Sequence, residues 1–282
     1  MWFLVLCSMV FSFASNATVT VQAKIYDIDY GRGVEDPFLM LTSGHIAWIK
    51  KSSNKSVVGL QRLDVRSTET MKFTINDSNE LVAAHRLPQK LESTAHTKSL
   101  NFNFDEVYSP TILESLEVAK TYFKESRDIQ QNSQCFNRAH VWGYEWYKNH
   151  EVLSNKTWIF FTRRYIRKFN HKWWFHVSPS VAVKEGSVVR EKVMDQSFSR
   201  GPLNIKQWTD IFIKDGSSCR EVKKYTDYAN YPESGNCFTM RSSMFYHQPF
   251  DLESTETWNT VKTNWYDEDL KQAYLDTFNE EF

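Results

Sequence analysis

Net charge is the first thing this chain lacks. Lys plus Arg and Asp plus Glu both number 34, so the formal charge is zero. A neutral chain carries no global signal for nucleic acid or for an anionic membrane surface. Long apolar runs are lacking too: past the first residues, no segment is apolar for long enough to cross a bilayer. There is no internal repeat and no low-complexity stretch, which sets aside solenoid and tail-like architectures. His45 and His85 have no companion Cys or carboxylate at metal-ligand spacing, so neither is expected to bind a metal. Cysteine is scarce, with four residues in 282.

Aromatic residues are plentiful, at 15% of the chain with ten Trp, thirteen Tyr and twenty Phe. Such a chain buries a sizeable core and is not disordered. Its length suits one large domain or two ordinary ones. The opening MWFLVLCSMVFSFASNA holds an apolar run, Trp2 to Ala14, too short to span a membrane. With the small residues Ser15 and Ala17 placed for cleavage, residues 1–17 read as a secretory signal. The first charged side chain is Lys24, so the terminal amine alone supplies the positive n-region. The mature protein is therefore expected to be secreted or periplasmic, with no stable membrane insertion.

Cys7 leaves with the signal. Cys219 and Cys237 bracket a polar, Gly- and Ser-containing stretch, which in an exported protein reads as a disulfide closing a loop. Closing a loop of that size stabilises by about 3 kcal/mol in the chain-entropy model. Cys135 is left over, and an unpaired thiol in an oxidising compartment is a candidate reactive group.

Residues 18–100 look like a small all-β domain. VTVQAKIYDIDY, GHIAWIKK, SVVGLQRLDV and MKFTIND are short strand-like runs separated by turn signals such as GRG, TSG and NDSN. The polar stretch from 88 to 108 reads as a linker with cleavable Lys90 and Lys98. Residues 101–282 follow as a second domain of α+β type. A helix is expected from Ser109, with Pro110 in its first turn, and a second from Cys135 to about Asn149. Strands are expected at 157–166, 172–183 and 189–198, then helices in NIKQWTDIFI and in the tail DEDLKQAYLDTFNEEF. The basic run RRYIRKFNHK (163–172) reads as the charged edge of a hairpin.

Three residues assemble into chemistry. Cys135 follows polar residues suited to a helix cap, so its thiol sits where the helix dipole favours thiolate, the nucleophilic form. His176 lies in WWFHVSPSV. Strand alternation puts Trp173, Phe175, Val177, Pro179 and Val181 on a core side and Trp174, His176, Ser178 and Ser180 on a cleft side. An imidazole there could take the thiol proton and return a proton to a leaving amine. Asp195, flanked by Val193, Met194 and Phe198, is awkward to bury alone and is resolved by bonding to that imidazole. His140 is expected to pack or hydrogen-bond away from the site, Arg138 to form a structural ion pair or else to contact substrate, and WGYEWY (142–147) to be core.

The segments CFNRAHVW (135–142), WWFHVSPSVAV (173–183) and VMDQSFSRGPLNIKQWTDIF (193–212) together resemble the bacterial protein-glutaminases. The likeness covers roughly 109–250 and leaves the N-terminal strands unmatched. Gln196 stands where such enzymes often carry Pro, a departure that touches strand geometry more than chemistry. The resemblance implies a papain/transglutaminase-like domain, with a Cys-bearing helix packed on an antiparallel sheet carrying His and Asp. It implies Cys135 as nucleophile, His176 as base and Asp195 as its orienter. The reaction implied is hydrolysis of glutamine side chains in proteins or peptides to glutamate, with release of ammonia and no cofactor or metal. Transglutaminase-type acyl transfer, papain-like peptide cleavage and a non-catalytic binding module are the alternatives. A monomer is expected, with residues 18–100 as either an inhibitory leader over the cleft or a permanent binding module.

Overall fold

The computed structural model describes residues 17–33, 35–50, 69–87, 108–127, 133–253 and 266–280. The signal segment up to residue 16, the expected strand SVVGLQRLDV and the linker lysines lie outside the described residues.

The N-terminal part forms two three-stranded antiparallel sheets. One joins β1 (Thr18–Ala23), β5 (Met71–Asn76) and β6 (Leu81–Arg86), in that order. The other joins β2 (Ile25–Asp29), β3 (Phe38–Leu41) and β4 (Ile46–Trp48). The period-two burial of β5 turns Met71, Phe73 and Ile75 inward, where they meet Leu39, Leu41 and Ala47 of the second sheet in one apolar cluster.

Residues from 108 onward build a six-stranded sheet around β9 (Phe175–Glu185). The first half of β9 pairs with β8 (Asn155–Phe161). Its second half pairs with β10 (Val188–Val193) across the KEGS turn and with the short parallel β7 (Ile112–Leu113). On the far side of β8 come β12 (Cys237–Ser243) and β11 (Arg220–Val222). Helix α1 (Leu116–Glu125) packs near β9, and α2 (Cys135–His150) lies between the sheet and α6 (Tyr266–Phe278). Because α2 is enclosed on most sides, Phe136, Ala139, Val141, Trp142, Tyr144 and Trp146 are all buried. It approaches so closely at Gly143 that an added Cβ would lie 3.0 Å from Ser154 Oγ. A disulfide joins Cys219 to Cys237, as the spacing suggested, tying the start of β11 to that of β12.

Two expectations are corrected. The first helix starts at Leu116, capped by the Ser115 hydroxyl, because Ile112 and Leu113 pair with β9 Ala182 and Val183 instead of joining a turn. The basic run is not a hairpin edge. β8 ends at Phe161, Thr162 caps a new helix, and α3 (Arg163–Phe169) follows, with Asn170 in left-handed conformation closing it. Tyr165 and Ile166 face inward. Arg163 meets Asp27 at 2.7 Å, and Arg167 meets Asp29 at 2.7 Å, so the basic charge clamps the N-terminal strands.

That clamp is one part of an extensive junction. Ile46 N–H donates to the Lys172 carbonyl at 2.7 Å, and Trp174 N–H donates to the Gly44 carbonyl at 2.9 Å. The Trp174 indole donates to the Leu41 carbonyl at 2.7 Å, and Tyr26 stacks on the same ring at 4.4 Å. Phe38, Met40 and Ile46 belong to the same apolar core as Trp158, Phe160 and Phe175. Gly44 takes a φ of +86°, and a Cβ there would press within 3.3 Å of the Phe175 ring, so the β3–β4 turn fits only glycine against the start of β9. The remaining short elements are α4 (Ile205–Asp210), α5 (Tyr225–Ala229) and a 3₁₀ turn at Pro249–Leu252.

Candidate active site

Cys135 is the first residue of α2. Its cap, Gln134, is extended and makes no side-chain cap bond, so the polar residues before the helix do not consume its first N–H groups in the way a Ser or Asp cap would. The half-buried thiol therefore sits at the positive end of a sixteen-residue helix. His176 is the second residue of β9, and Asp195 stands two residues beyond the end of β10, whose ladder brings it alongside. His176 Nε2 and Asp195 Oδ2 are 2.7 Å apart, both groups buried. Cys135 lines the same cleft as His176 and lies close enough for the imidazole to favour its thiolate form. With Nε2 engaged by the carboxylate, Nδ1 is the nitrogen left for sulfur. The structure thus brings together all three residues singled out in the sequence.

Burial alone would raise the Cys135 thiol. The His176 imidazole, the Arg138 guanidinium and the Val177 backbone outweigh burial and hold the thiol below its ordinary value. Burial would likewise depress His176, but the Asp195 charge and hydrogen bond, with Cys135, lift it to about 9. Burial would raise Asp195. The imidazole and the Trp208 indole N–H instead keep its carboxyl below the usual range. All three shifts favour thiolate, imidazolium and carboxylate side by side.

The site opens into a cleft of about 730 Å³. Cys135, Arg138, Trp173, Phe175 and His176 line one wall, Gln196 to Phe198 line an end, and Thr18 to Val21 with Ser43 and His45 line the other wall. The strand alternation expected for β9 is revised here. Trp173 precedes the strand and reaches the cleft with Phe175, whereas Trp174 is fully buried under the N-terminal strands. Arg138 donates to the Ser133 carbonyl and lines the cleft, and among the described residues it forms no ion pair.

His140 points away from the cleft, with Nδ1 2.5 Å from the ammonium of Lys156 and its ring 4.7 Å from that of His247. Lys156 is fully buried, also bonds the Tyr246 carbonyl at 2.6 Å, and is pulled by burial to about 7. Gln196, at the position where Pro was expected, donates its amide to the Phe123 carbonyl and so ties the strand end to α1. Sequence reasoning missed Trp208, whose indole N–H donates to Asp195 Oδ2 at 2.8 Å. Ten tryptophans carry no mark that tells one from another. It also missed the cleft wall made by β1 and the β3–β4 turn. Among the described residues, no group of three His, Cys, Asp or Glu side chains is placed to hold a metal, and no helix is long and apolar enough to cross a membrane.

Residues 115–212, which include Cys135, His176, Asp195 and Trp208, match the family model Gln_deamidase_2, described as glutaminase. Over that segment the chain is similar to the glutaminase family. Crystal structures of a mutant and of the unmodified form of pro-protein-glutaminase are each similar at 14% identity, with TM-scores of 0.50 and 0.47, covering 90% of this chain and 92% of theirs. The likeness to the first establishes a shared fold. The solution structure of protein-glutaminase from Chryseobacterium proteolyticum is similar at 12% identity and a TM-score of 0.37, covering 58% of this chain and 88% of that one. No curated protein matches the sequence. The glutaminase-family match ends within the α4 region, so β11, β12 and α6, which back the sheet and helix, fall outside it.

Proposed function

We propose that this protein is an exported, monomeric cysteine amidohydrolase that deamidates glutamine side chains of proteins or peptides. The observation that carries this reading is the thiol–imidazole–carboxylate chain of Cys135, His176 and Asp195, open to a cleft inside the segment that matches the glutaminase family. The Cys-bearing helix, packed on antiparallel strands that present His and Asp, supports a papain/transglutaminase-like catalytic domain over residues 101–282.

In this mechanism the Cys135 thiolate attacks the carboxamide carbon and forms a C–S bond. The oxyanion is met by the Cys135 backbone N–H at the uncapped start of α2. His176 gives its proton to the departing ammonia as the C–N bond breaks, leaving a thioester. Water then attacks, His176 takes its proton, the C–S bond breaks, and glutamate and the thiolate–imidazolium pair are left. Asp195 holds the imidazole in the orientation both steps need.

The N-terminal strands support a second part of the reading, that residues 18–100 cover the site as an inhibitory leader. Thr18 to Val21, Ser43 and His45 wall the same cleft as Cys135, and the β3–β4 turn is joined by main-chain bonds to Lys172 and Trp174 just before His176. A cut within 88–107 would leave those strands seated only by noncovalent contacts.

Ammonia release from denatured casein, with mass spectrometry for the amide-to-acid change, tests the activity. It should vanish in Cys135→Ala. Release that survives that substitution, or chain cleavage or Gln–Lys crosslinks in its place, overturns the proposal. Equal activity of the intact protein and of protein from which the N-terminal strands have been cut between residues 87 and 108 and removed overturns the inhibitory part alone.

A further inference from the structure

Asp195 is held more tightly than the expected triad requires. Its carboxylate accepts from three donors: His176 Nε2 at 2.7 Å and Trp208 Nε1 at 2.8 Å on Oδ2, and Ser197 N–H at 3.2 Å on Oδ1. Trp208 comes from a separate element, α4, whose start is fixed by a reciprocal capping box between Asn204 and Gln207. It has no solvent exposure, and its ring packs 5.7 Å from His176 and 5.5 Å from Phe212, so indole and imidazole share one apolar enclosure. A buried indole N–H needs an acceptor, and here it finds the oxygen that also meets the imidazole.

We infer that Trp208 is a positioning residue for the proposed reaction: its indole N–H locks the Asp195 carboxylate with Oδ2 toward His176, and so keeps Nδ1 aimed at Cys135. This rests on the cysteine mechanism above. A carboxylate with a donor on each oxygen cannot rotate about its Cβ–Cγ bond without breaking both bonds. Without the indole N–H, Oδ2 has only the imidazole it must orient. The remaining donor, Ser197 N–H on Oδ1, comes from two residues on in the same turn, so turn, carboxylate and ring can shift together. A hydrogen bond to the charged form also lowers the pH at which the carboxylate ionises. Its loss moves the acid limb of thiol reactivity to higher pH.

The test uses Trp208→Phe, which keeps the aromatic packing and removes the N–H, and Trp208→His, which keeps an N–H donor. Cys135 is alkylated with iodoacetamide across pH, a readout that needs no deamidase substrate and so separates this inference from the function proposed above. Casein deamidation is measured beside it. In Trp208→Phe the acid limb should move up by about one pH unit, and kcat should fall about tenfold with KM little changed, in line with the loss of one hydrogen bond to a charged group. Trp208→His should recover part of both. A Trp208→Phe enzyme that folds and keeps the wild-type limb and kcat overturns the inference. Should both variants fail to fold, the wild-type protein decides through its indole N–H resonances. One of them should shift with pH along the alkylation limb, and none doing so overturns the inference.

Discussion

The two walls of the cleft each bring in a histidine, buried at His176 and half-buried at His45, and the two behave in opposite ways. His176, from the sheet, is raised to about 9, while His45, from the N-terminal strands, is pulled by burial to about 4. His171, buried between Phe161 and Tyr165, is pulled to about 3 in the same way. Burial disfavours the imidazolium at all three. Only His176 has a carboxylate at 2.7 Å. His45 has the Ser43 hydroxyl at 3.2 Å and the charge of Lys172, which disfavours its protonation further. One wall carries a proton donor at neutral pH, and the other presents a neutral ring.

The largest test removes the difference. Asp195→Asn should leave His176 as depressed as His45 and lower deamidation about 10³- to 10⁴-fold, measured as kcat/KM on casein. A loss under tenfold would mean that the carboxylate is not what distinguishes the walls. Next comes pH. The thiolate–imidazolium pair of the wild type should persist up to about 9, where His176 gives up its proton. Deamidation, which needs that proton for the leaving ammonia, should have an alkaline limb there, while alkylation, which needs only the thiolate, does not fall.

Stability should follow the two walls with opposite signs. The His176 contribution is fully present below its ordinary 6.5 and is lost as pH rises through about 9. His45 stays neutral in the fold, so stability is lost as pH falls from 6.5 through about 4, where the unfolded chain takes the proton first. His45→Gln should flatten the acid side of a Tm-versus-pH curve and leave the alkaline side unchanged.

A smaller effect is expected at the clamp. Arg167 is mostly enclosed by Asp29, Glu35 and the Asp36 carbonyl, so Arg167→Met should destabilise the fold by about 1–3 kcal/mol in urea titrations. The smallest effect concerns chemistry at the neutral wall. His45→Gln should change kcat by less than about threefold, because an imidazole pulled to about 4 holds no proton to give at neutral pH and is a weak base. A larger drop would assign His45 a part in the reaction.

The Cys135, His176 and Asp195 constellation was legible because each residue type is costly or reactive in its setting. An unpaired thiol at a helix start, a histidine inside an aromatic strand and an acid among Val, Met and Phe all call for partners. Periodicity also located α2, β9 and the closing helix. What could not be read depends on distant neighbours. RRYIRKF has a strand-like lead-in, and only the Thr162 cap and the Asn170 stop mark it as a helix; its arginines found acids more than a hundred residues away. The β3 strand and the cleft wall made by the β3–β4 turn gave no local signal, since Ser43, Gly44 and His45 acquire meaning only against Trp173 and Phe175. Lys156 sat inside a strand, and nothing nearby announced that it would be buried against His140 and Tyr246.

The order of strands has a consequence for biosynthesis. β8, which lies beside the His176 strand, has as its other neighbour β12, made of residues Cys237–Ser243. The sheet therefore cannot be complete until most of the chain has left the ribosome, and long-range pairings of this kind form late. The β9–β10 hairpin that brings His176 and Asp195 together is local and can form early, whereas β8, the other neighbour of the His176 strand, waits for β12 to be made. The imidazole–carboxylate pair is thus set by a local hairpin, and the sheet around it is closed last.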